Sequence, residues 1–109
     1  MTKMEPKIKQ LWIDDLRANP KLQGKGALNW NGRFCCLGRL CELYRQEKGG
    51  EWSIGEDETA LYFFDTSGVL PKPVKEWANI SGQQQCSLIN LNDAGHTFAT
   101  IADYIEEKL

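Results

Sequence analysis

Nine consecutive residues, Arg33-Phe34-Cys35-Cys36-Leu37-Gly38-Arg39-Leu40-Cys41, constrain the fold more than any other stretch of the chain. Just upstream, Asn31-Gly32 is a strong turn signal, because both residue types tolerate left-handed backbone angles. Downstream, apolar residues at 37, 40, 41 and 44 recur at helical spacing, which gives one buried face. Gly49-Gly50 then supplies the positive φ that closes a helix C-terminus. The chain is therefore expected to leave a turn, run briefly extended, and enter a helix over 37–47. Three of the four cysteines lie at that junction.

A thiol at a helix N-terminus feels the positive end of the helix dipole, which favours the nucleophilic thiolate. Arg33 and Arg39 act in the same direction. Against this, free cysteine is among the most often buried residue types and packs as a small hydrophobe. The packing role is the stronger expectation. Cys35 and Cys36 remain the candidate nucleophiles, with His96, the one histidine of the chain, as their candidate base. Such a base must come within about 3 Å of the thiol and be held by an orienting group. Zinc would have to use Cys35, Cys36, Cys41, Cys86 and His96, which lack the paired spacing of structural sites, so no metal site and no cofactor is expected.

At 109 residues, with 41% hydrophobic and 26% charged residues, the chain is expected to form one ordinary globular domain. Its net charge of −2 is unevenly placed: residues 1–48 carry ten Lys/Arg against five Asp/Glu, and residues 49–109 carry three against ten. Attraction between the halves explains this most simply; a basic patch that receives an anion is the sharper alternative. The segment Met1–Pro6 is polar and has no secretory character. No apolar run approaches the roughly 18 residues a membrane span requires, and cysteine use suits a reducing cytosol.

The remaining elements follow in order. Helix 5–18 carries Ile8, Leu11, Trp12 and Leu16 inward, with Ile13 beside them, and stops at Asn19-Pro20. Ala27–Trp30 and Arg33–Cys35 form a hairpin around Asn31-Gly32. Glu51–Ile54 and Thr59–Phe64 form a second, joined by an acidic turn at 55–58. Asp65–Gly68 is a turn, and helix 73–79 turns Val74 and Trp77 inward. Residues 81–85 read as a loop, 86–89 as a short strand and 91–95 as a turn. Thr97 caps a last helix, 97–108. The expected fold is α+β: about four helices on a small, mostly antiparallel sheet. Its expected core is Leu11, Trp12, Leu16, Phe34, Cys36, Leu37, Leu40, Cys41, Leu61, Phe63, Trp77, Phe98, Ile101 and Ile105.

Among specific sites, anion binding ranks first. Lys21, Gln23, Gly24 and Lys25 lie in a glycine-punctuated basic loop, where backbone N–H groups can approach a phosphate. Arg33 and Arg39 add guanidinium forks, and Trp30 adds a stacking face. The loop lacks the strand, spacing and hydroxyl of a P-loop. Asp103 and Glu106 share a helix face that reads as solvated, and Asn92-Asp93 as turn chemistry. Nucleic acid is not expected as the main partner, given a pI of about 5.4 and no long basic stripe.

Three motifs together carry a resemblance. They are Trp12-x-x-x-Leu16-Arg17, Phe34-Cys35-Cys36-Leu37-Gly38-x-Leu40-Cys41, and Leu91-Asn92-Asp93-x-Gly95-x-x-Phe98-x-x-Ile101-Ala102-Asp103-x-Ile105-Glu106. Leu70-Pro71 and Trp77 extend the likeness between them. The chain resembles small uncharacterised proteins encoded by phages and prophages. The resemblance implies a bacterial host cytoplasm as the setting, and no ligand or catalytic residue. The expected function is a non-enzymatic accessory protein that binds a host protein, as an anti-defence factor would, or holds a small anionic, nucleotide-like ligand. The alternatives are a thiol-dependent enzyme using Cys35 or Cys36, and a virion-associated protein that self-assembles; a homo-oligomer is allowed by each.

Overall fold

The computed structural model describes residues 3–54, 60–64 and 66–109. The acidic turn expected at 55–58 lies outside them, as do Met1, Thr2, Thr59 and Asp65. Helix α1 spans Pro6–Ala18; the Glu5 carboxylate accepts from the Ile8 N–H at 2.9 Å, and Pro6 fills the first turn, where its missing N–H costs nothing. Asn19 ends it, and one 3₁₀ turn follows over Pro20–Leu22.

Strands β1 (Asn29–Trp30) and β2 (Arg33–Phe34) form the first hairpin. Asn31 and Gly32 have φ of 51° and 86°, the two positive values a type I′ turn requires. The Asn29 side chain accepts from the Gly32 N–H at 3.0 Å and pins the turn from below. Helix α2 (Cys36–Lys48) follows at once, and ends at Gly49 with φ 94°. Strands β3 (Trp52–Ile54) and β4 (Ala60–Phe63) make the second hairpin. β4 also pairs antiparallel with β1, giving the sheet order β2-β1-β4-β3. Three further helices complete the chain: α3 (Lys72–Ala78), α4 (Gly82–Asp93) and α5 (Phe98–Lys108).

The α+β class and the two-hairpin antiparallel sheet match the expectation; one helix more is present than expected. Residues 82–89, read as loop and strand, belong to α4, with Ser81 as its N-cap. Its start is a capping box, in which the Ser81 hydroxyl accepts from the Gln84 N–H and the Gln84 side chain accepts from the Ser81 N–H. Its inward stripe is Gln85, Leu88 and Asn92, so two of three buried positions are polar and the apolar period is hidden. Leu91–Asp93, read as a turn, is the last turn of the same helix.

α1 packs chiefly on α5 and α2. Trp12, Ile13 and Leu16 are fully buried, and the Trp12 indole N–H donates to the Cys36 carbonyl at 2.9 Å. Leu11, expected in the core, is 40% exposed. The buried arc is centred between Trp12 and Leu16, which takes in Ile13 and leaves Leu11 on its far edge. Leu61 and Trp77 are half-buried rather than buried, whereas Met4, Leu28, Leu70 and Leu88 join the core unforeseen.

The opposite charges of the two halves meet where Arg17 pairs with Asp103 at 2.8 Å and with Glu106 at 3.5 Å. These side chains are well exposed, so the pairing orients α1 and α5 more than it stabilises them.

Candidate binding cleft on the sheet

Register decides which side chains reach solvent. Residues directly opposite one another share a face. Phe34, Asn29 and Leu61 form one row, and Trp52 with Phe63 the next on the same side, which faces the core. Arg33, Trp30 and Ala60 form a row on the other side, as do Tyr62 and Ser53. The outer face of β1–β2 therefore carries an aromatic ring and a guanidinium next to each other.

Gly24 and Lys25 close that corner into an open cleft of about 430 Å³, lined with Trp30, Asn31 and Arg33. A parallel bridge between Gln23 and Phe34 holds the basic loop there. Gly24 must be glycine: a Cβ would lie 2.8 Å from the Arg33 Cβ. Trp30 is 49% exposed. Among the described residues it has no aromatic partner, and its indole N–H has no acceptor. The Arg33 guanidinium makes only a long 3.5 Å contact with the Lys21 carbonyl. Among the described residues, neither Arg33 nor Lys25 pairs with a carboxylate. The Lys25 ammonium reaches toward Gly95, just past the C-terminus of α4, where the negative helix end favours it. Arg33 is thus the less committed of the two cations.

The expected anion site gathers only in part. Lys25, Trp30, Arg33 and the Gly24 wall come together. Asn31 was missed, although its turn signal marks the same tip. Lys21 contributes a carbonyl that holds Arg33. The Gly24 N–H is not open to a phosphate, because it donates to the Phe34 carbonyl at 2.6 Å. Gln23 is a structural brace: its amide donates to Asn92 Oδ1 at 3.2 Å and to the His96 carbonyl at 2.6 Å, and accepts from the Phe98 N–H. Arg39 lies elsewhere. It is 7% exposed, forks onto Asp15 at 2.7 and 2.8 Å, and covers the Phe34 ring. A buried arginine that ties α2 to α1 cannot serve a ligand on the far side of the sheet.

Asn92, read as turn chemistry, is fully buried and joins three segments. Its Oδ1 accepts from the Cys36 N–H and from Gln23, and its Nδ2 donates to the Gly24 carbonyl at 2.8 Å. The loop that walls the cleft is therefore anchored through one amide to the start of α2.

The three thiols of the 35–41 stretch are buried. Burial pushes Cys35 up to about 11 and outweighs the backbone N–H groups at the helix start. Burial likewise raises Cys36 and Cys41, and the Cys36 thiol donates to the Leu88 carbonyl at 3.7 Å. The weaker alternative, a Cys35 pKa lowered by the helix dipole, is not realised: desolvation outweighs the dipole, in line with the packing expectation. His96 makes no hydrogen bond to a thiol among the described residues; its backbone N–H donates to the Leu91 carbonyl. No group of three or more His, Cys, Asp or Glu converges among the described residues. Iodoacetamide at neutral pH should therefore label exposed Cys86 alone, with the other three modified only after unfolding. Intact-mass measurement before and after denaturant checks this.

A larger hollow of about 530 Å³ lies across the molecule, between the N-terminal segment, Trp77 and Leu109. Lysines and glutamates line it together, so it favours neither sign of charge. Among the described residues, no helix is long and apolar enough to cross a membrane.

No curated protein and no solved structure matches the chain. A family described as a domain of unknown function, DUF8296, matches residues 4–109, almost the whole chain. The match covers nearly the full length, and the protein belongs to the DUF8296 family.

Proposed function

We propose that the protein is a non-catalytic binding module, a phage or prophage accessory protein that captures an anionic ligand in the cleft on the outer face of β1–β2. The supporting observation is the Arg33 guanidinium, turned to an open cleft beside Trp30 with no carboxylate on it among the described residues. Arginine matches phosphate geometry with two parallel donors. Burial of the thiols supports binding over bond-making. The phage setting rests on the motif resemblance, and action against host defence is the role such a module would fill.

Titration calorimetry with inorganic pyrophosphate tests this. The protein should bind it, and Arg33→Ala should weaken binding tenfold or more, since a charge-assisted fork contributes about 1.5–3 kcal/mol. Binding that is absent, or indifferent to Arg33, would exclude the reading.

A second reading, capture of a host protein, is favoured by Phe64. This bulky residue sits at φ 47° and is 44% exposed, with its ring edge-on to Tyr44 and Phe63. Backbone strain of that kind persists where a side chain must be presented.

A further inference from the structure

Resting on the anion-binding reading, we infer that the ligand carries a flat aromatic group as well as its charge: the cleft is built for a single nucleotide, with the base on Trp30 and the phosphate on Arg33. Three observations carry this. Trp30 is the one aromatic of β1–β2 turned outward, and its ring and its N–H both lack a partner among the described residues. A lone exposed tryptophan is ordinary. One paired across strands with an uncommitted arginine is a stacking face beside an anion fork, the combination that nucleotides need.

The second observation is the tip. Asn31 projects from the I′ turn into the same cleft and offers an amide, with both donor and acceptor, to a base edge. Tyr62 lies diagonally from Trp30 on the same face of the sheet. The third is size. A cleft of about 430 Å³ lies within the range of small-molecule sites and is large enough for one base with its sugar and phosphates. A pI of about 5.4 does not favour a polynucleotide backbone as the ligand.

The test compares ADP, pyrophosphate, adenosine and a ten-residue single-stranded oligonucleotide by calorimetry on the full chain. ADP should bind at least tenfold more tightly than pyrophosphate. Trp30→Ala should erase that advantage, so that ADP and pyrophosphate bind the variant equally, whereas Trp30→Phe, which keeps a π face, should retain most of it. Both variants alter an exposed ring, and their thermal melts should match the parent's. Equal affinity for ADP and pyrophosphate would overturn the inference while leaving the anion reading intact. Binding of neither would overturn both. An oligonucleotide that binds tenfold more tightly than ADP would overturn the single-nucleotide assignment.

Discussion

Replacing Gly38 with alanine should cost about 3 kcal/mol or more of folding stability, beyond the ordinary range for overpacking. Helix propensity alone argues the opposite sign, since alanine is better than glycine in a helix by about 1 kcal/mol. The difference lies in what faces the residue. A Cβ at Gly38 would fall inside the carbonyl group of Leu28, a backbone atom that no rotamer change can move. Nor can the helix retreat. The Cys36 N–H is held by Asn92, and the Cys36 carbonyl by the Trp12 indole. Leu28 is fixed from the other side, where its N–H donates to the Ser67 carbonyl. A denaturant titration reads the result as a lower midpoint with an unchanged slope. A stabilised Gly38→Ala would mean that the start of α2 does not lie against Leu28.

Asn92→Ala should be comparably damaging, by about 3–5 kcal/mol, because it strips partners from buried groups that each cost about 1–3 kcal/mol when unpaired. The Cys36 N–H and the Gly24 carbonyl are left without their partner, and the Gln23 amide loses one of its two acceptors, keeping the His96 carbonyl and the Phe98 N–H. Asn92→Asp separates the terms. The carboxylate can still accept from Cys36 and Gln23, but it cannot donate to Gly24, and it puts a charge at a fully buried position. Desolvation raises the folded-state pKa of such a group above its unfolded value. The folded state then binds its proton more tightly, so the variant should be most stable in mild acid and lose stability as pH rises. The parent carries no titrating group there. Melts of both proteins at pH 5 and pH 8 check the sign.

These two residues show how far the sequence could be read. The Asn31-Gly32 turn and the 37, 40, 41, 44 period depend on local geometry, and both were legible. Gly38 belongs to a motif that was visible, but its reason, the Leu28 backbone, lies ten residues away across a packed interface. α4 was misread because Gln85 and Asn92 occupy buried positions of its stripe, and only their tertiary partners make burial tolerable there. The capping signature Ser81-x-x-Gln84 was the available signal.

The candidate site divides in the same way. Arg33 and Arg39 stand six apart in one run and look equivalent. One lies on an outward row of the sheet, and the other enters a helix face opposite Asp15. Strand register and a long-range ion pair separate them, and neither is written in local sequence. Burial of Cys36 and Cys41 was foreseen from residue type, and at Cys35 desolvation overrides the dipole.

The central claim is that work is done at the outer face of the first hairpin while the sulfurs are shielded packing. Amide chemical-shift mapping during a pyrophosphate titration tests it most directly. The account predicts shifts concentrated at Lys25, Trp30, Asn31, Gly32 and Arg33, with Cys36, Cys41 and Leu88 unmoved. Shifts centred on Cys36 and Leu88, or none anywhere, would contradict it.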